Sequence, residues 1–300
     1  MEKKYKGIIP PLVTPLLCET ELDVEGLERL IERLIAGGVH ALFILGTTGE
    51  AQSLSMDMRM QMIKKSSEIL KKRLPLLVGI SDTSLVDSAR LTDYAYENGA
   101  DAVVSTPPYY FATSQPELAE YYEKLLPLLK LPLFLYNMPV HTKVSFAPET
   151  IKRIAKNPKV IGFKDSSANG AYLQSVVYEM RDNKEFSILV GPEEMTGESV
   201  LMGVDGGVNG GANLFPELYV ELYNAAVAHD LEKVKELQAK VMQISRTIYT
   251  QGKYGSSYLK GLKCALAAKG VCSGYIAAPF NQFDGEYEKR IEEALEAIKL

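Results

Sequence analysis

The first sign of chemistry in this chain is a lysine at the end of an apolar run. Lys164 follows Val160-Ile161-Gly162-Phe163, so a buried strand would carry its amine to one end of a sheet. A desolvated ammonium has a lowered pKa, and the neutral amine it yields is a nucleophile for a carbonyl. A plain ion pair with Asp165 would use the same lysine without any chemistry. Tyr136 closes the preceding apolar run, Leu133–Tyr136, and a phenol beside that amine can give and take a proton while an imine forms and collapses. Taken alone, it could equally be a rim aromatic. Gly46-Thr47-Thr48-Gly49 is a tight polar turn whose hydroxyls and N–H groups suit a carboxylate, although Gly-Thr turns are also common loops. Gly206–Gly211 offers similar backbone freedom, which keeps a phosphorylated substrate open.

The elements that must position these groups alternate. Short, nearly continuous apolar runs read as strands buried on both faces: Gly7–Val13, Ala41–Leu45, Leu76–Ile80, Ala102–Ser105, Leu133–Tyr136, Val160–Phe163, Ser187–Val190 and the glycine-rich Gly206–Val208. Amphipathic stretches separate them. Asp23–Ala36 shows the pattern, with Leu27, Leu30, Ile31, Leu34 and Ile35 on one face, Asp23 as N-cap and Gly37-Gly38 as the stop. Ser55–Lys72, Ser84–Asn98, Gln115–Lys130, Ala147–Asn157, Asn169–Asp182, Glu193–Met202 and Pro216–His229 follow. Eight βα units predict an α/β fold, a (β/α)8 TIM barrel over residues 1–229, with chemistry at the strands' C-terminal ends. An open doubly wound sheet is the alternative, but neither GxGxxG nor GxxxxGK[ST] occurs. Residues 230–300 read as a helical extension packed on the barrel: Leu231–Tyr249, Ser256–Lys269 and Gly285–Lys299.

Composition narrows the function. Of 300 residues, 46% are hydrophobic and 24% charged, the balance of a globular protein and not of a disordered or collagenous one. A net charge of −5 gives no bulk attraction to nucleic acid or to anionic membrane. The 3 Cys form no CxxC, so a reducing, cytoplasmic setting is expected. The 3 His are scattered, and no metal is expected. Gly7–Leu17 holds three prolines and is not a signal-peptide core, and no apolar run reaches the ~18 residues of a membrane span.

Taken in order, these motifs resemble the dihydrodipicolinate synthase/N-acetylneuraminate lyase family of Schiff-base aldolases and lyases. The resemblance runs from Ile9-Pro10-Pro11-Leu12-Val13-Thr14-Pro15 through Gly46–Glu50, Thr106–Tyr110, Tyr136–Pro139 and Gly162-Phe163-Lys164 into the helical tail. It implies a lyase in which Lys164 forms an imine with pyruvate or another 2-oxo acid and Tyr136 shuttles the proton. Thr47 and Thr48 would hold the carboxylate, with Thr47 also in a hydroxyl relay. Tyr110 would serve the relay of a neighbouring subunit, and Val208 would lie near the pyruvyl group. The family implies a homotetramer, a dimer of dimers, and no cofactor.

Two departures bear on the substrate. Dihydrodipicolinate synthases read Tyr-Asn-x-Pro-x-Arg-Thr, and that arginine grips a carboxylate of the second substrate. Here the stretch is Tyr136-Asn137-Met138-Pro139-Val140-His141-Thr142, and His141 lacks arginine's planar fork. Gly191-Pro192-Glu193-Glu194-Met195 resembles the Gly-x-Asp-Glu-Met of sialic-acid lyases, whose acids bind substrate hydroxyls; the two acids could also simply favour a helix N-terminus. Yet Thr47 stands where those lyases usually have Ser, and Lys164-Asp165-Ser166-Ser167 differs from their run. The pattern therefore lies closer to 2-keto-3-deoxy sugar-acid aldolases and dehydratases. The expected substrate is a polyhydroxylated 2-oxo acid. The alternatives are condensation of pyruvate with aspartate semialdehyde by dihydrodipicolinate synthase and, in another class, a non-catalytic sugar-acid-binding barrel.

Overall fold

The eight apolar runs form one parallel sheet that curls on itself. The computed structural model describes residues 3–298. Its barrel strands are β1 (Gly7–Ile8), β2 (Leu42–Ile44), β3 (Leu76–Gly79), β4 (Ala102–Ser105), β5 (Leu133–Asn137), β6 (Val160–Asp165), β7 (Ser187–Val190) and β8 (Gly206–Gly207). Neighbours in sequence are neighbours in the sheet, and β1 lies beside β8. A parallel bridge between Pro11 and Phe43 closes the ring. β1 is far shorter than the apolar run Gly7–Val13. Pro10 and Pro11 have no N–H for a ladder, so the segment past Ile8 joins β2 only through single bonds such as Leu12 N–H to Phe43 O.

Alternation along the strands sorts the side chains into two cores. One fills the barrel with Ile9, Phe43, Leu77, Val104, Phe134, Tyr136, Leu189 and Val208. The other, larger core lies between strands and helices and takes Leu133, Leu135 and Phe163. Tyr5 stands edge-on to Phe134 at 5.3 Å within the inner core. Gly162 makes room for Phe134, because a Cβ there would lie 2.1 Å from that ring.

The barrel helices are α1 (Val24–Ala36), α2 (Met56–Leu70), α3 (Leu85–Glu97), α4 (Gln115–Leu125), α5 (Pro148–Ile154), α6 (Gly170–Met180), α7 (Thr196–Leu201) and α8 (Pro216–Val227). Side-chain caps fix several starts: Asp23 accepts from Gly26 N–H, and Ser55 from Met58 N–H. α7 is shorter than the expected Glu193–Met202, because its first turn is 3-10 over Glu193–Met195. Several short elements had no counterpart among the expected ones, 3-10 turns at Ala51–Ser53 and Gly210–Asn213 included. The two that bear on the barrel's ends are an antiparallel ribbon of Leu16–Cys18 with Glu21–Leu22, and a helical turn at Pro139–Thr142.

The extension forms α9 (Leu231–Thr247), α10 (Ser257–Ala268) and α11 (Gly285–Ala297); the expected end of the last helix at Lys299 lies outside the described residues. It is tied to the barrel through a fully buried ion pair, Lys263 Nζ to Glu50 Oε1 at 2.6 Å. Lys263 also donates to Thr14 O, and Ala277 N–H donates to Glu50 Oε2. Among the described residues no helix is long and apolar enough to cross a membrane.

Candidate active site

Register brings the lysine and the phenol together. Tyr136 of β5 pairs with Lys164 of β6, and both point into the barrel mouth. Lys164 is 5% exposed. Its Nζ lies 4.0 Å from the centroid of the Tyr136 ring and 5.2 Å from that of Phe43. Burial pushes its pKa below the ordinary lysine value, more strongly than Tyr136 and Asp165 raise it. An ion pair with Asp165 is not what holds it. Asp165 Oδ1 accepts from Asn137 Nδ2 at 2.8 Å and from Ser167 N–H at 3.1 Å, and its Oδ2 accepts from Ser167 Oγ at 2.8 Å.

The Gly46–Glu50 turn enters from the β2 end. Its internal bonds run from Gly49 N–H to Gly46 O, Glu50 N–H to Thr47 O and Ala51 N–H to Gly46 O. Among the described residues, no carbonyl accepts from the Thr47 or Thr48 N–H. Thr47 Oγ1 lies 3.1 Å from Tyr136 Oη, a hydroxyl pair able to pass a proton. Thr48 Oγ1 lies 3.0 Å from the hydroxyl of Tyr258.

A cavity of about 260 Å³ collects Thr47, Thr48, Tyr136, Lys164, Glu193, Glu194, Val208 and His141. A second cleft of about 320 Å³ shares Thr47, Met138, His141 and Tyr258 with it. Tyr110 is not brought to this site. It is 87% exposed, holds a positive φ of 81°, and stands edge-on to the equally outward Phe111.

The two acids part company. Glu193 is buried, and protein groups take up its carboxylate. Oε1 accepts from Tyr219 at 2.6 Å and from Tyr249 at 2.8 Å, while Oε2 accepts from Gly211 N–H at 2.8 Å. Burial raises its pKa to about 7 despite these donors. Glu194 is exposed at the cavity and accepts from Ser245. The sequence left Gly206–Gly211 open to a phosphate. Gly211 N–H is already bonded to the Glu193 carboxyl and is not free for an anion. His141 sits at the rim on the Pro139–Thr142 turn, and burial together with Lys143 lowers its pKa, so the imidazole is neutral at pH 7.

Two lining residues escaped the sequence reading, which placed the whole site on the barrel. Tyr249 and Tyr258 come from the extension and stand edge-on at 4.7 Å. Their only signal in the sequence was an aromatic in an otherwise ordinary amphipathic segment. Among the described residues no group of three or more His, Cys, Asp or Glu could hold a metal ion.

The model of the "Dihydrodipicolinate synthetase family" matches residues 4–298. A solved structure of dihydrodipicolinate synthase from Bacteroides thetaiotaomicron is 68% identical, with a TM-score of 0.97 over 99% of this chain and 100% of that one. Escherichia coli YjhH, named as a probable 2-dehydro-3-deoxy-D-pentonate aldolase, is 30% identical over 81% of both chains. The structure of Escherichia coli YagE in complex with pyruvate is 28% identical, with a TM-score of 0.93 over 99% of both chains.

Proposed function

The chain belongs to the dihydrodipicolinate synthetase family of pyruvate-acting lyases, and we propose that it cleaves or dehydrates a polyhydroxylated 2-oxo acid through an imine at Lys164. Lys164 Nζ attacks the C2 ketone to give a carbinolamine. Tyr136 then protonates the departing hydroxyl, water leaves, and an iminium and a phenolate remain. In cleavage the phenolate takes the proton of the C4 hydroxyl. The C3–C4 bond breaks, its electron pair passes into the iminium as an enamine, and an aldehyde departs. Protonation at C3 and hydrolysis of the imine release pyruvate and restore the amine. Thr47 extends the proton path from Tyr136. Thr48, together with the unpaired N–H groups of the turn, receives the carboxylate. Val208 packs beside the pyruvyl carbons. Glu194 accepts hydrogen bonds from the substrate's distal hydroxyls. Glu193, with its carboxylate bonded to two tyrosines and a backbone N–H, is assigned to the wall and not to the substrate. The active assembly is a homotetramer, a dimer of dimers in which Tyr110 reaches a partner's relay.

One observation carries the choice of substrate. Among the described residues no arginine lines the cavity; the neutral His141 and the acidic Glu194 stand at its mouth. Losing a buried bidentate contact to a carboxylate costs about 2–5 kcal/mol, or roughly 30-fold to several thousandfold in specificity. The second reading is the synthase, favoured by the 68% identity to the Bacteroides thetaiotaomicron protein of that name. The test compares kcat/KM for 2-keto-3-deoxy sugar acids with that for pyruvate plus aspartate semialdehyde on one preparation. Release of pyruvate or water from a sugar acid, with slow condensation, is the expected result. Efficient condensation with no turnover of any sugar acid would establish the synthase instead.

A further inference from the structure

Thr48 has one O–H and two lone pairs, and Tyr258 already engages it. If Thr48 donated to Tyr258, the cavity would see only the threonine's lone pairs, which repel a carboxylate. If Tyr258 donates, the threonine O–H is released toward the cavity. Tyr258 is built to donate. It is partly buried, desolvation raises its pKa well above 10 so that it keeps its proton, and among the described residues Thr48 is the one hydrogen-bond partner of that O–H. Its ring is set edge-on against Tyr249, and Tyr249 is bonded to Glu193. Space for its hydroxyl exists only because residue 210 is glycine: a Cβ there would lie 1.7 Å from the Tyr258 oxygen.

We propose that Tyr258, carried in from the C-terminal extension, is a positioning residue that turns the Thr48 hydroxyl toward the substrate carboxylate. The inference rests on the reading of Thr48 as a carboxylate ligand. It gives the extension a role in substrate binding that packing alone would not require. The Tyr258 hydroxyl acts through Thr48, so its effect must depend on both the threonine hydroxyl and the negative charge of the ligand.

The experiment measures half-saturation for borohydride trapping of the Lys164 imine, with pyruvate and with its neutral methyl ester as probes. Tyr258→Phe, Thr48→Val and the double variant are compared with the parent, and melting temperatures confirm that each is folded. Tyr258→Phe should raise half-saturation for pyruvate about tenfold, ~1.4 kcal/mol, and leave that for methyl pyruvate within about twofold. In the Thr48→Val background, Tyr258→Phe should add nothing, because the group it orients is gone. Several results overturn the proposal. One is an unchanged value for Tyr258→Phe while Thr48→Val is impaired. Others are additive effects in the double variant, or equal losses for acid and ester, which mark a merely structural role. An unchanged Thr48→Val sinks the carboxylate reading itself, and the inference with it.

Discussion

At the scale of single residues, the decisive feature is a lysine buried over a phenol, with no carboxylate among the described residues bonded to it. Sequence alone left open an ion pair with Asp165. The strand's own alternation removes it, because adjacent residues point to opposite faces. The position of Lys164 was legible, since an apolar run leading to a lysine can be read directly. The commitment of Glu193 was not legible. It depends on Tyr219 and Tyr249, 26 and 56 residues further along the chain, and no local pattern reports such partners. The imine is tested with pyruvate and borohydride, which should add one reduced pyruvyl group to the peptide containing Lys164. Labelling of another lysine would refute the assignment. Because burial lowers the lysine pKa, the trapping rate should rise with pH and level off below 10.5, the ordinary lysine value. Lys164→Arg should abolish trapping, since a guanidinium stays protonated. Tyr136→Phe should lower kcat by roughly 10²–10⁴-fold with the fold intact.

At the scale of elements, the strands and barrel helices were legible because continuous apolar runs and 3.6-residue periodicity report burial directly. The shortfall in β1 was legible in principle, as Pro10 and Pro11 cannot donate to a ladder. The Leu16–Cys18 ribbon and the Pro139–Thr142 turn were not, since each is too short to show a period. The wall formed by Glu193, α8 and α9 makes a pH prediction. A carboxyl whose folded pKa is raised to about 7 disfavours its charged form in the fold. Its neutral form imposes no such cost below the unfolded value near 4.5, so stability is lost as pH rises from there through 7. At 1.36 kcal/mol per unit the full loss is about 3 kcal/mol. Chemical denaturation at pH 5 and pH 8 should show that decline in the parent. Glu193→Gln, which cannot ionise, should show less of it. An identical decline in both proteins would assign the effect to other groups.

At the scale of the whole molecule, the site is closed from two directions. The barrel supplies Lys164, Tyr136 and the threonine turn, while the extension, locked on by Glu50 and Lys263, supplies Tyr249 and Tyr258. One expected member of the relay, Tyr110, remains outside, and its surroundings suggest where it acts. Two adjacent aromatics, 87% and 77% exposed, are held out from the chain on a left-handed residue. Exposing such rings to water is unfavourable, and a symmetric contact with a second copy would bury both. Sedimentation should accordingly show a dimer or tetramer, and a fully active monomer would contradict the shared site. Subunit mixing tests the sharing itself. A Lys164→Arg chain keeps Tyr110 but has no nucleophile; a Tyr110→Phe chain keeps the nucleophile but lacks the lent phenol. In a mixed dimer the site on the Tyr110→Phe chain receives Tyr110 from its partner and is whole. Random reassembly across a twofold interface makes half the dimers mixed, each with one whole site, so activity should recover to about a quarter of the parent's. If Tyr110 instead served its own chain, every mixed dimer would carry two defective sites, and mixing would restore nothing beyond the average of the two variants.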